Sequence, residues 1–136
     1  MPKANKHYCD IEELFREMQV RSTKQKHAIF EALLTPKRAW SAKQLWHKLG
    51  TRAGNLSTIH RNLTAFAKAG IIHVALEDAS QTIYEKIDDR HHDHLKCLAC
   101  GMYQCVPCGK PEQRGNGKTK AMTHILLFEG LCTHCA

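Results

Sequence analysis

The sequence has no long apolar run. The longest uninterrupted one, from Ile125 to Phe128, is four residues, against the roughly 20 that a membrane-spanning helix needs. No N-terminal stretch resembles a signal peptide. These two absences predict a soluble, cytoplasmic protein with no membrane partner. No internal repeat is visible beyond short pairs of cysteines, so the chain is not an array of stacked units. Acidic charge is scarce in the first part: residues 1 to 75 carry thirteen Lys or Arg against five Asp or Glu, a net of +8, whereas residues 76 to 136 carry seven against eight, a net of −1. A half so basic is expected to face a polyanion.

Cysteine and histidine, by contrast, are plentiful: seven and ten in 136 residues. That length suits one ordinary domain or two small ones, and a structural zinc supplies folding free energy that a small core lacks. In a reducing cytosol, paired cysteines point to zinc rather than to disulfides. The densest stretch is HHDHLKCLACG, from His91 to Gly101. Along an extended chain, alternation sends His92 and His94 to one face and His91 and Asp93 to the other, so one strand can serve two metals.

In chain order, Ile11, Leu14, Phe15 and Met18 form the apolar stripe of a helix opened by Asp10, with Glu13 three residues on. A second helix opens at Thr23, carries Ile29, Phe30, Leu33 and Leu34, and stops before Pro36. A third starts at Ser41, holds Leu45, Trp46 and Leu49, and ends at Gly50. After a turn at Ala53 and Gly54, Asn55 and Ser57 compete to cap a helix from about Thr58 to Lys68. Its buried positions are Ile59, Leu63, Phe66 and Ala67, and its other face offers Ser57, Thr58, His60, Arg61, Asn62 and Thr64. Two short helices joined by a glycine-bearing turn, the second polar outside, predict a helix-turn-helix. Ile71 to Leu76 and Gln81 to Ile87 then read as a hairpin, the wing.

The expected organisation is therefore α+β: a winged-helix DNA-binding domain over residues 1–87 and a metal-binding domain over residues 88–136, with a charged connector at residues 88–90. The second domain holds expected strands at Met102 to Val106 and Thr123 to Phe128 around a Gly- and Lys-rich segment from Cys108 to Lys120.

Three C-x-x-C units occur: Cys97 with Cys100, Cys105 with Cys108, and Cys132 with Cys135. Two residues between thiolates let one tight turn present both sulfurs to a metal at about 2.3 Å. Two such pairs close a tetrahedral four-sulfur site, and spacing does not say which two. A thioredoxin-like motif would need a βαβ context, which is not visible. A zinc deaminase would need H-x-E ahead of P-C-x-x-C; Pro107 and Cys108 start the second motif, but no cysteine stands at position 111. No enzyme and no small-molecule substrate are expected.

A basic winged helix followed by HHDHLKCLACG and a closing GLCTHC resembles the ferric uptake regulator family, which includes iron-, zinc-, manganese-, nickel- and peroxide-sensing members. The resemblance runs from about Val20 to Cys135. It implies a homodimeric, metal-dependent repressor that binds double-stranded operator DNA, with an N-terminal winged helix and a C-terminal α/β dimerisation domain. Carried across, the structural zinc belongs to Cys97, Cys100, Cys132 and Cys135. A regulatory site uses Glu85, His92 and His94. Its usual fourth ligand, a histidine ahead of the third helix, falls on Ala39, leaving water, His73 or Asp78 to substitute. A third site uses His91, Asp93, Glu112 and His124. On the recognition helix, the family's Tyr-Arg pair reads His60 and Arg61, with Ser57, Thr58 and Asn62 beside it.

The regulatory donors suit Zn2+, Fe2+ or Mn2+. The GLCTHC ending resembles zinc-responsive members, which favours zinc slightly, although such members often carry a cysteine where Glu85 stands. Cys105 and Cys108 are read as surface thiols ahead of a second soft-metal site or a redox latch. Gly115 and Gly117 shorten or break the family's dimerisation helix between Pro111 and Met122. The alternative class is a zinc-stabilised DNA-binding or adaptor module without metal sensing.

Overall fold

Capping side chains fix where each helix begins. Asp10 accepts hydrogen bonds from the amides of Glu12 and Glu13 at 3.0 and 3.3 Å and opens α1 (Ile11–Glu17). Thr23 accepts from the amide of Lys26 and opens α2 (Lys24–Leu33). Ser41 and Gln44 form a reciprocal capping box at the head of α3 (Ala42–Leu49). Asn55 accepts from the amide of Thr58 at 2.8 Å and opens α4 (Leu56–Ala69). Of the two candidate caps the carboxamide of Asn55 is the one used, so the helix starts two residues before Thr58. It ends on Gly70, held at φ 80°, ψ 16°, a left-handed conformation that costs glycine nothing.

The computed structural model describes residues 10–78, 80–87, 91–108 and 126–136. The chain divides into two units, Met1–Asp89 and Arg90–Ala136. In the first, three phenylalanines from three helices meet: Phe15, Phe30 and Phe66, with ring centroids 5.4 to 5.8 Å apart. Around them Ile29, Leu33, Leu45, Ile59 and Leu63 are fully buried. Each large apolar side chain so buried contributes about 1.5–3 kcal/mol, and edge-to-face or stacked rings about 0.5–1.5 more per pair. The inner face of α4 thus belongs to the core, and its outer face is left to solvent.

A three-stranded antiparallel sheet closes this unit. The hairpin of β2 (Ile72–Asp78) and β3 (Gln81–Lys86) is the expected wing, with Asp78 opposite Gln81. Its inner partner, β1 (Arg38–Ser41), pairs Trp40 with Tyr84 and Ser41 with Ile83. Sequence reasoning did not foresee β1. On α3, Leu45 and Leu49 are buried as expected, but Trp46 is 40% exposed, because it lies a quarter-turn away from their stripe.

The second unit holds β4 (His92–Cys97), β5 (Tyr103–Pro107) and β6 (Leu127–Gly130). β4 lies between the other two, antiparallel to β5 and parallel to β6. Parallel pairing of Cys97 with Gly130 brings the turns after β4 and β6 to the same end of the sheet. β6 shares Leu127 and Phe128 with the expected strand and runs on to Gly130. Residues 123–125, the helix expected between Pro111 and Met122, Glu112 and His124 lie outside the described residues.

Candidate metal centres and nucleic-acid interface

Each of those two turns carries a C-x-x-C pair. After β4 the chain reverses at once, with the amide of Gly101 donating to the carbonyl of Cys97 at 2.8 Å. Gly101 takes φ +77° there, which side chains other than glycine rarely adopt. After β6, the amides of Cys135 and Ala136 donate to the carbonyl of Cys132. Sulfur atoms of Cys97, Cys100, Cys132 and Cys135 all lie within 4.8 Å of one another. The Cys100 and Cys132 sulfurs are 3.8 Å apart, which matches the roughly 3.8 Å edge of a tetrahedron with bonds of about 2.3 Å to zinc. The donor set and its spacing fit a four-sulfur zinc.

Electrostatics separate the four thiols. Backbone amides of Cys132 and Cys100 donate to the Cys97 sulfur and lower its pKa to about 6. Hydrogen bonding to Cys132, Cys100 and Cys97 raises Cys135 to about 12. One sulfur is thus poised as thiolate at neutral pH, and another gives up its proton only against a cation.

The two faces of β4 behave as alternation requires. His92 and His94 share one face, with ring centroids 4.8 Å apart and planes inclined at 67°. On the other face His91 Nε2 stands 3.7 Å from Asp93 Oδ1, and Asp93 is buried. Each face also receives a cysteine from the strand alongside. His92, His94 and Cys105 present ligand atoms within 4.8 Å of one another, and so do His91, Asp93 and Cys108. Reading Cys105 and Cys108 as surface thiols missed this; both are half-buried. What brings them together is the register of β4 with β5, which opposes His94 to Cys105.

Glu85 lies on β3 in the first unit, buried, and pairs across the wing with His73, whose Nε2 is 2.6 Å from Glu85 Oε1. Ala39, at the position of the missing histidine, is fully buried in β1 and offers only a methyl group. Of the expected substitutes, His73 stands beside Glu85, whereas Asp78 sits at the far end of β2, five residues on.

The outer face of α4 presents Ser57, His60, Arg61 and Thr64 to solvent, with Thr58 and Asn62 half-buried. The Thr58 hydroxyl donates to Asn55 at 3.0 Å, and Arg61 Nη2 reaches the Thr58 hydroxyl at 3.4 Å. No acidic residue occurs between positions 32 and 76, which hold seven Lys or Arg. This is an electropositive helix whose first-turn amides and guanidinium suit phosphate and base edges.

The model of the ferric uptake regulator family matches residues 17–121. The chain belongs to that family. It is 36% identical over 125 residues to a zinc uptake regulation protein of Mycobacterium tuberculosis, spanning 85% of this chain and 95% of that protein. A ferric uptake regulation protein of Bordetella parapertussis is 32% identical over 85 residues, 59% of this chain and 61% of its own length. Among solved structures, the ferric uptake regulator of Vibrio cholerae superposes with a TM-score of 0.72 at 27% identity, covering 90% of this chain and 100% of its own. The fold expected from the sequence, helices and sheet in a DNA-binding part followed by a smaller metal-rich part, is the fold of this family. Its members are transcriptional regulators that bind metals and DNA, and the chain is a metal-responsive regulator of that kind. Among the described residues no helix is long and apolar enough to cross a membrane.

Proposed function

We propose that the protein is a metal-dependent repressor that binds operator DNA as a homodimer and senses zinc. The observation that carries the metal reading is the convergence of His92 and His94 on one face of β4, apart from the four-cysteine cluster. Two separate donor sets suit two jobs: Cys97, Cys100, Cys132 and Cys135 hold a structural zinc, and His92 and His94, with Glu85, hold the regulatory metal. His91 and Asp93, with Glu112 and His124, form the third site.

Glu85 belongs to the wing and His92 and His94 to the second unit, so a metal bound by all three would restrain one unit against the other. When bound, the metal supplies the positive charge that lets a buried carboxylate and two imidazoles share one site. Holding the units in the arrangement that fits DNA raises the population of the binding-competent dimer. Arg61 and His60 then read bases, and Thr58 with the first-turn amides of α4 holds phosphate. The relative named for zinc uptake, at 36% identity across 95% of its length, supports zinc. Leu127 and Phe128, 39% and 46% exposed on β6, support a second copy as the cover of that strand.

The test compares His92→Ala and Glu85→Ala with the unaltered protein. Both are expected to lose metal-stimulated DNA binding while one zinc per chain remains. Normal metal-dependent repression by both variants would overturn the regulatory assignment.

A further inference from the structure

A C-x-x-C pair means different things in a turn and in a strand. In the turns after β4 and β6, two intervening residues fold back and bring both sulfurs to one point. Cys105 and Cys108 instead lie along β5 and its immediate continuation, where three extended steps separate their Cα atoms by about 10 Å and point their side chains to opposite faces. Sulfurs so placed cannot share one tetrahedral metal, and Cα atoms more than about 7 Å apart do not form a disulfide. A disulfide between Cys105 and Cys108 is therefore excluded by geometry, and so is a four-sulfur site that uses both. What the strand does is deliver one thiol to each histidine cluster.

We propose that Cys105 is a ligand of the metal held by His92 and His94, and that Cys108 plays the same part with His91 and Asp93. For Cys105 three observations agree. It faces His94 directly across the antiparallel ladder. His92 is two residues from His94 on the same face, its ring 4.8 Å away. The three ligand atoms all lie within 4.8 Å of one another, a span that a single ion with bonds of about 2.0–2.3 Å to nitrogen and sulfur bridges. Cys108 meets the same distance criterion with His91 and Asp93 on the opposite face.

Two imidazoles and a thiolate form a borderline-soft donor set, which favours zinc and disfavours manganese and iron relative to an all-nitrogen and oxygen site. Cys105 thus sets the selectivity that Glu85 and the histidines leave open. It also supplies a donor to a site whose expected fourth ligand falls on the methyl group of Ala39. This inference rests on the reading of His92 and His94 as regulatory ligands.

Cobalt(II) is the probe, because thiolate bound to it absorbs strongly in the near ultraviolet and imidazole does not. Protein retaining its four-cysteine zinc, verified by metal analysis, is titrated with cobalt under a phosphine reductant. The expected result is a thiolate-to-cobalt band that grows with the added metal. Cys105→Ser and Cys108→Ser should each remove part of it, and the double variant nearly all, while His92→Ala removes the part due to Cys105. Cys105→Glu should raise manganese affinity relative to zinc by about tenfold or more. Cobalt that binds without a thiolate band overturns this inference and leaves the regulatory-site reading standing. Failure to bind any cobalt beyond the retained zinc overturns both. Serine is close in size to cysteine, and unchanged circular dichroism of the variants guards against misfolding.

Discussion

Gly101→Ala isolates the contribution of one backbone turn to the four-cysteine site. At φ +77° an added Cβ meets no atom within 4 Å, so the substitution introduces no clash and only conformational strain. A left-handed alanine costs about 1–2 kcal/mol. That strain applies where the knuckle is closed on its metal and relaxes where it is open, so zinc should be held about 5- to 30-fold less tightly, at about 1.4 kcal/mol per tenfold. Gly50 provides the control, since it also has a positive φ, +56°, with nothing within 4 Å of the added carbon, but sits in the first unit. Gly50→Ala should lower the unfolding stability of the first unit by at least as much, since at ψ −135° it lies outside the left-handed helical well, and leave zinc affinity alone. Gly101→Asn should recover part of the loss, because asparagine tolerates the left-handed region better than alanine. The assay is competition for zinc with a chromophoric chelator under reducing conditions. Wild-type affinity in Gly101→Ala, or an equal loss in Gly50→Ala, would refute the reasoning.

Phe66→Ala removes a ring that contacts both Phe15 and Phe30 and should destabilise the first unit by about 3–5 kcal/mol; a cost under about 1 kcal/mol in urea unfolding would contradict the packing account. Arg61→Ala should weaken specific DNA binding by about 1–3 kcal/mol and flatten discrimination among sequences, and anisotropy titrations showing neither change would remove Arg61 from base reading. Hydrogen bonding to its neighbours holds the Cys135 thiol well above its ordinary value, and zinc takes it only as thiolate, so zinc uptake at the four-cysteine site should release protons and tighten as pH rises. A zinc affinity at that site independent of pH, measured by chelator competition, would contradict the thiolate-ligand account.

The helices were legible because each is local: a cap, an apolar stripe and a stop are written within a few residues, as in Ser41, Leu45, Leu49 and Gly50. The wing was legible for the same reason. β1 was not, since four residues have no readable period and its ladder depends on Tyr84 and Ile83, more than forty positions away. Alternation along β4 is enough to put His92 with His94 and His91 with Asp93, because the period of a strand is fixed by its backbone. Choosing Cys132 and Cys135 over Cys105 and Cys108 for the four-sulfur cluster needed more than spacing, because the same C-x-x-C spacing closes in a turn and splits in a strand. The antiparallel register of β4 and β5 decides which cysteine meets which histidine, and register is a property of two strands together.

The central claim is that occupancy of the His92 and His94 site controls DNA binding. Its most direct test begins with protein stripped by mild chelation to the four-cysteine zinc alone, and with a duplex selected from random DNA in the presence of zinc. Binding is then measured as zinc, iron(II) and manganese(II) are titrated separately. The account predicts DNA affinity rising with a second equivalent of metal, with zinc acting at the lowest free concentration, and no such rise in His92→Ala. Full affinity with the structural zinc alone, unaffected by added metal, would contradict it and leave a zinc-stabilised DNA-binding module without a sensor.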